Sequence, residues 1–133
     1  MSVVSCIGKE KIRINENEFI LKENYVDDGY EWINVKYKYD KNIVQIGAYY
    51  IYNYSTSIEW MSYNENYIAL VAMYTGYGAS NNLKVKKLFD IRSKQFIDGS
   101  REELLEIYYR EIYNRGLEEN SKKKQKIKKI ISK

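Results

Sequence analysis

Apolar and polar residues alternate with a period of two along much of the first hundred positions, and short polar corners divide the alternation into hairpins. That period belongs to half-buried strands, while Asn, Asp and Gly at the corners tolerate the backbone that tight turns need. Lys11 to Ile14 and Glu18 to Lys22 flank Asn15-Glu16-Asn17 and read as a first hairpin. Asp27-Asp28-Gly29 makes the next turn, into a strand in which Ile33, Val35 and Tyr37 face inward and alternate with Trp32, Asn34, Lys36 and Lys38. Asp40-Lys41-Asn42 then returns the chain into a long β-rich run, Ile43 to Tyr54. Its two faces are Ile43, Gly47, Tyr49, Ile51 and Val44, Ile46, Ala48, Tyr50, Tyr52, Tyr54. Neither face is polar, so the expectation is a central strand.

Asn64-Glu65-Asn66 repeats the earlier corner between Glu59–Tyr63 and Tyr67–Tyr74, predicting a second hairpin. Within it Ile68 to Met73 is the most apolar stretch, although its alanines also suit a helix. Thr75 to Asn82 is the longest loop candidate, and Leu83–Ile91 with Gln95–Ile97 form a last hairpin across Arg92-Ser93-Lys94. No fixed period of a repeat protein is present.

After Ser100 the period changes to that of a helix. Ser100 with Glu103 is a capping box, and Leu104, Leu105, Tyr108, Tyr109 and Ile112 recur on one side. Glu106 with Arg110 and Glu111 with Arg115 are i,i+4 ion pairs, and Gly116 is a fitting C-cap. The predicted fold is therefore α+β: an antiparallel sheet of about six or seven strands built from hairpins, with the Arg101 to Arg115 helix packed on one face. Residues 1–117 make one domain, and residues 118–133 a lysine-rich tail or short helix carrying Ile127, Ile130 and Ile131 on one edge.

Charge changes this picture. The net charge is +4, from 22 Lys+Arg and 18 Asp+Glu, but residues 121–133 hold seven lysines and no acid. The preceding 120 residues thus carry 15 cations against 18 anions, a net −3, and the basic balance says nothing of the domain surface. Apolar runs are too short for a bilayer of about 20 residues. Met1 to Gly8 does not read as a secretory signal, so a cytoplasmic location is expected.

The chain has no His and one cysteine, Cys6, which removes the commonest general base, the usual metal ligand, His-based triads and any internal disulfide. No cofactor or metal and no enzymatic activity are expected. Gly76-Tyr77-Gly78-Ala79-Ser80 lacks the spacing of a phosphate-binding loop and precedes a strand. Cys6 lacks a neighbouring base that would activate it, and Asp27 with Asp28 and Glu102 with Glu103 suit a turn and a helix start.

Two features point to binding. Fifteen tyrosines offer large contact area with a polar tip. Tyr50, Tyr52, Tyr54, Tyr74, Tyr77, Asn81 and Asn82 are the candidate interface or ligand contacts; alternatively the tyrosines only pack the sheet. Arg92, Lys94, Lys122, Lys123, Lys124, Lys126, Lys128 and Lys129 are the candidate phosphate contacts, although the tail holds no Arg or aromatic residue for base readout. Heavy use of Lys, Ile, Asn and Tyr resembles proteins of AT-rich genomes such as low-GC bacteria and their phages. The expected function is a small non-enzymatic protein acting by protein–protein occlusion, a phage or mobile-element inhibitor of a host defence protein. Its partner is then a protein, and self-association as a homo-oligomer is expected from exposed tyrosines and sheet edges. Alternatives are a nucleic-acid-binding accessory protein using the tail with Lys84, Lys86 and Lys87, and a binder of a small nucleotide-like ligand in a tyrosine-lined pocket.

Overall fold

The computed structural model describes residues 5–27, 29–51, 57–74 and 82–113. Asp28, Tyr52, Tyr54, Tyr77, Asn81, the loop from Thr75, Gly116 and the lysine tail lie outside the described residues, as does the Asn82 side chain.

Every hairpin predicted between described strands forms. β1 (Ser5–Asn15), β2 (Glu18–Asp27), β3 (Tyr30–Tyr39) and β4 (Asn42–Tyr50) make one antiparallel sheet in chain order. β5 (Ser57–Tyr63), β6 (Tyr67–Tyr74), β7 (Asn82–Asp90) and β8 (Gln95–Phe96) make a second. The α+β class stands, but the single sheet of six or seven strands is corrected to two sheets of four.

The corners share one device. Asn15 Oδ1 accepts from Asn17 N at 3.0 Å, Asn64 Oδ1 from Asn66 N at 2.8 Å, and Asp90 Oδ1 from Arg92 N at 2.9 Å. Each side chain imitates the missing backbone acceptor of a turn. At the Asp40 and Lys94 corners φ is +51° and +57°, the left-handed backbone of tight turns.

β4 is an edge strand of the first sheet, and the expectation of a central strand is corrected. Its apolar character on both predicted faces has a geometric cause. Between Val35 and Lys36 the pairing to β4 shifts, so that Val35 lies opposite Gly47 and Lys36 opposite Gln45, with Ile46 the extra residue. A bulge of this kind changes the phase of the alternation. Val44, Ile46, Tyr49 and Ile51 thereby join one core, while Ile43 and Tyr50 are 57% and 53% exposed.

The sheets stack as layers. Ile20, Val35, Tyr37, Ile46 and Tyr49 of the first meet Met61, Ile68, Leu70, Phe89 and Ile91 of the second in one core. The approach is close enough that a Cβ on Gly47 would stand 2.7 Å from Leu70 Cδ1. On the other side of the second sheet, Trp60, Tyr67, Ala69, Val71, Met73, Leu83, Val85 and Leu88 pack beneath α1 (Arg101–Ile107) and the π-helical turn Tyr108–Tyr113 that continues it. The second sheet is thus the middle layer. This explains why Tyr67 to Met73 are all buried: β6 is a strand with two covered faces, not a helix.

The capping box forms as predicted: Ser100 Oγ accepts from Glu103 N and Ser100 N donates to Glu103 Oε1, both at 3.2 Å. Leu104, Leu105, Tyr108 and Ile112 supply the apolar face, and Glu106 pairs with Arg110 at 3.7 Å. The regular helix of the prediction gives way to a π-helical turn after Ile107, which keeps Tyr108 and Ile112 buried and brings the Tyr109 and Tyr113 rings to 5.4 Å. Asn64 ties this turn to the sheet, donating from Nδ2 to Glu111 O at 2.6 Å while its Oδ1 accepts from Asn66 N and Tyr67 N. Trp60 Nε1 donates to Ser62 Oγ at 3.1 Å, and Ser62 Oγ lies 3.4 Å from Tyr108 Oη. Burial, opposed by these polar neighbours, raises the Tyr108 phenol above its ordinary range.

Candidate functional site

Strand alternation gives the first sheet a second face, turned away from the core. On it stand Lys9, Lys11 and Arg13 from β1, Phe19, Leu21, Glu23, Tyr25 and Asp27 from β2, Trp32, Asn34, Lys36 and Lys38 from β3, and Ile43, Gln45, Ala48 and Tyr50 from β4. None of these residues belongs to either core. The register sorts them into cross-strand rows, and each row lies roughly 6.8 Å from the next, two residues of strand rise.

One end is cationic. Arg13, Phe19 and Lys38 lie side by side in a row, with Lys11 one row away. Lys11 Nζ sits 4.2 Å from the Phe19 ring centroid and the Arg13 guanidinium carbon 5.6 Å. Among the described residues, none of Lys11, Arg13 and Lys38 has a carboxylate within 4.0 Å. Lys11 and Arg13 against one ring, with Lys38 opposite it on the next strand, repel one another, and an anion bound there would relieve that repulsion.

The middle of the face is a polar network. Glu23, nearly buried, accepts from Lys36 Nζ at 2.9 Å and from Asn34 Nδ2 at 3.2 Å. Asn34 in turn hydrogen-bonds Gln45. The Lys36 hydrogen bond outweighs burial and holds the Glu23 carboxyl below its ordinary value, with Asn34 and the charge of Lys9 assisting. Lys36 is raised by the same bond. At the far end Tyr25 and Trp32 stack at 4.8 Å between centroids and 19° between planes, with Tyr50 next to Trp32 across the sheet.

Of the residues singled out from the sequence, Tyr50 lies on this face and is exposed. Tyr74 ends β6 in the second sheet, 43% exposed, so the structure does not bring the two together on one sheet face. Arg92 is exposed on the β7–β8 turn, beside Asp90 at 3.8 Å and Tyr67 Oη at 3.3 Å. Lys94 is fully engaged: it pairs with Glu18 at 3.1 Å, donates to Ile91 O at 3.1 Å, and stands 4.9 Å from the Tyr39 ring centroid. It joins the β7–β8 turn to the first sheet. Burial pushes the Glu18 carboxyl up, but Lys94, Asn15 and the nearby Tyr37 hydroxyl together bring it below its ordinary value. The Tyr37 hydroxyl stands near Glu18 outside hydrogen-bond geometry, so its influence is one of proximity. Lys86 is paired with Glu59 at 2.7 Å, and Lys87 lies over the Phe96 ring.

The cations of the outer face were not singled out from the sequence. Their signal is present: Lys9, Lys11 and Arg13 alternate at period two, as do Lys36 and Lys38. The net charge of −3 over residues 1–120 obscures them, because the acids lie elsewhere, including Glu102, Glu103, Glu106 and Glu111 on the helix layer.

Other chemistry is sparse. Among the described residues no three His, Cys, Asp or Glu side chains are grouped to hold a metal ion, and no helix is long and apolar enough to cross a membrane. A cleft of about 170 Å³ lies between Gly8, Lys9, Glu10, Lys22, Asn24 and Ile33, and no tyrosine lines it. Pockets for drug-sized ligands measure about 300–1,000 Å³. No family model, curated protein or solved structure matches the chain.

Proposed function

We propose that this is a non-enzymatic binding protein that receives its partner on the outer face of the first sheet. The observation that carries the proposal is the cluster of Lys11 and Arg13 at Phe19 with Lys38 opposite it, charged groups without carboxylate partners among the described residues. Folding gains little from that arrangement, whereas an anionic partner gains from it directly. Exposed Ile43 and Tyr50 add apolar area at the β4 edge of the same face. Occlusion is the mode of action this favours: an open sheet face covers a surface of its partner and needs no catalytic group. An intracellular setting in a phage or mobile element fits the composition. The lysines and arginine along β1 work against self-association through that edge, because they repel a second copy.

The test compares the wild-type chain with the Lys11→Glu, Arg13→Glu, Lys38→Glu variant as bait in nuclease-treated and untreated lysates. The expected result is that material retained by the wild type is lost from the variant, with the melting temperature nearly unchanged. Equal retention by both baits would remove this face as the docking surface.

A further inference from the structure

Resting on the reading of this face as the docking surface, we infer that its partner is a single-stranded nucleic acid, with phosphates on Lys9, Lys11, Arg13 and Lys38 and bases stacked against the Tyr25–Trp32 pair. The outer face carries five cations, Lys9, Lys11, Arg13, Lys36 and Lys38, against two carboxylates, Glu23 and Asp27. Lys36 is committed to Glu23, which leaves four cations for an anionic chain. From the Arg13–Phe19–Lys38 row to the Tyr25–Trp32 row is six residues of β2, or roughly 20 Å. Cations and rings thus lie on one continuous strip along which an extended strand can run.

The aromatic end decides between classes of polyanion. An acidic peptide would satisfy the cations and leave the stacked pair unused. A nucleic-acid duplex buries the faces of its bases in its own stack, whereas a single strand exposes them, and every base has a face to offer an aromatic ring. Tyr25 and Trp32 already lie nearly parallel, so a base continues their stack. Asn34 and Gln45, linked to each other between the charged and aromatic ends, place amide donors and acceptors where base edges would pass. The helix layer on the opposite side of the second sheet carries Glu102, Glu103, Glu106 and Glu111 against Arg101 and Arg110. This polarity turns the sheet face, and not the helix, toward a polyanion.

The experiment uses the full chain and a fluorescently labelled thymidine oligonucleotide of about ten nucleotides, within the span single-strand sites cover. Binding is read by anisotropy and by intrinsic tryptophan emission, in which buried Trp60 supplies a constant background to Trp32. The expected results are binding at low salt, a log–log salt slope of about −2 to −3 for four phosphates, quenched emission, and weaker binding of the matching duplex. Lys11→Glu, Arg13→Glu, Lys38→Glu should weaken binding by at least about a hundredfold. Trp32→Leu should weaken it about tenfold with the slope unchanged. The milder Lys11→Gln, Arg13→Gln, Lys38→Gln variant, checked for folding by circular dichroism, should also weaken binding and guards against a charge-reversed chain that fails to fold.

Glutamine at Lys122, Lys123, Lys124, Lys126, Lys128 and Lys129 in the full chain should leave the quenching intact. If those tail changes abolish binding and the face changes do not, both this inference and the docking surface are wrong. If no oligonucleotide binds at low salt, yet the charge-reversed face loses a protein captured by the wild type, the inference fails and the docking surface stands. Equal binding of duplex and single strand without quenching overturns the single-stranded assignment.

Discussion

The two sheets have the same construction and opposite surroundings. Each is a four-stranded antiparallel meander in chain order, yet the second is covered on both faces and the first on one. The contrast is written in neighbouring side chains. β6 runs Tyr-Ile-Ala-Leu-Val-Ala-Met without a charge, whereas β3 alternates Val35 and Tyr37 in the core with Lys36 and Lys38 outside. Within the middle layer, β6 is packed at every position from Tyr67 to Met73. An outer layer has half its positions free, and those are the ones that can acquire a binding role.

Substitutions on matched positions would break or sharpen that contrast. Leu70→Ala, in the core between the sheets, should cost about 2–5 kcal/mol in denaturant unfolding, while Ile43→Ala on the outer face should stay within about 0.5 kcal/mol. The two Asn-Glu-Asn corners make the next pair. Asn64→Ala removes the donor to Glu111 O and the acceptor of two backbone amides at a largely buried corner and should cost about 1–3 kcal/mol. Asn15→Ala loses contacts that water replaces, and a thermal melt should register well under half that loss.

Gly47→Val tests the spacing of the layers, since the added side chain meets Leu70, itself buried between them. Overpacking of this kind costs about 1–3 kcal/mol, and a variant as stable as the wild type would show that the layers separate freely.

A pH-dependent effect, smaller than that of the core substitutions, lies on the outer face, at the Glu23–Lys36 pair. Glu23 is depressed in the folded state, so its contribution is present above the ordinary carboxyl pKa and is lost as pH falls through the folded value. Lys36 is raised, so its share is present below the ordinary lysine pKa and is lost as pH rises through its folded value. Glu23→Gln should therefore be about 1–2 kcal/mol less stable at neutral pH, with the gap closing in acid. A gap that persists unchanged at low pH would assign the loss to packing instead of charge.

Local chemistry was the most legible part of the sequence. The Asx corners, the capping box and the inward set Ile33, Val35, Tyr37 follow from nearest-neighbour rules, and the structure contains each of them. What escaped depends on distant residues. The bulge at Ile46 exchanged the two faces of β4, and no local pattern marks it, because Val, Ile, Ala and Tyr suit either side. The division into two sheets depends on which strands pair, and β4 faces the second sheet without joining it. The outer-face cations were visible as spacing but invisible as a sum, since net charge carries no address. Lys94 shows the converse: an apparently free turn lysine is committed to Glu18, remote in sequence.

β6 has a further consequence before the native state exists. An uncharged run of strand-forming residues without proline is the type of segment that stacks with copies of itself. During synthesis it emerges ahead of β7 and the helix that will cover it, with only β5 already available as a partner. The Asn64 corner joins those two strands, and a hairpin closes in about 1–10 μs, far faster than residues are added by the ribosome. The same asparagine that anchors the finished helix layer thus first pairs the most aggregation-prone strand on one side, leaving one edge, not two, open to other chains.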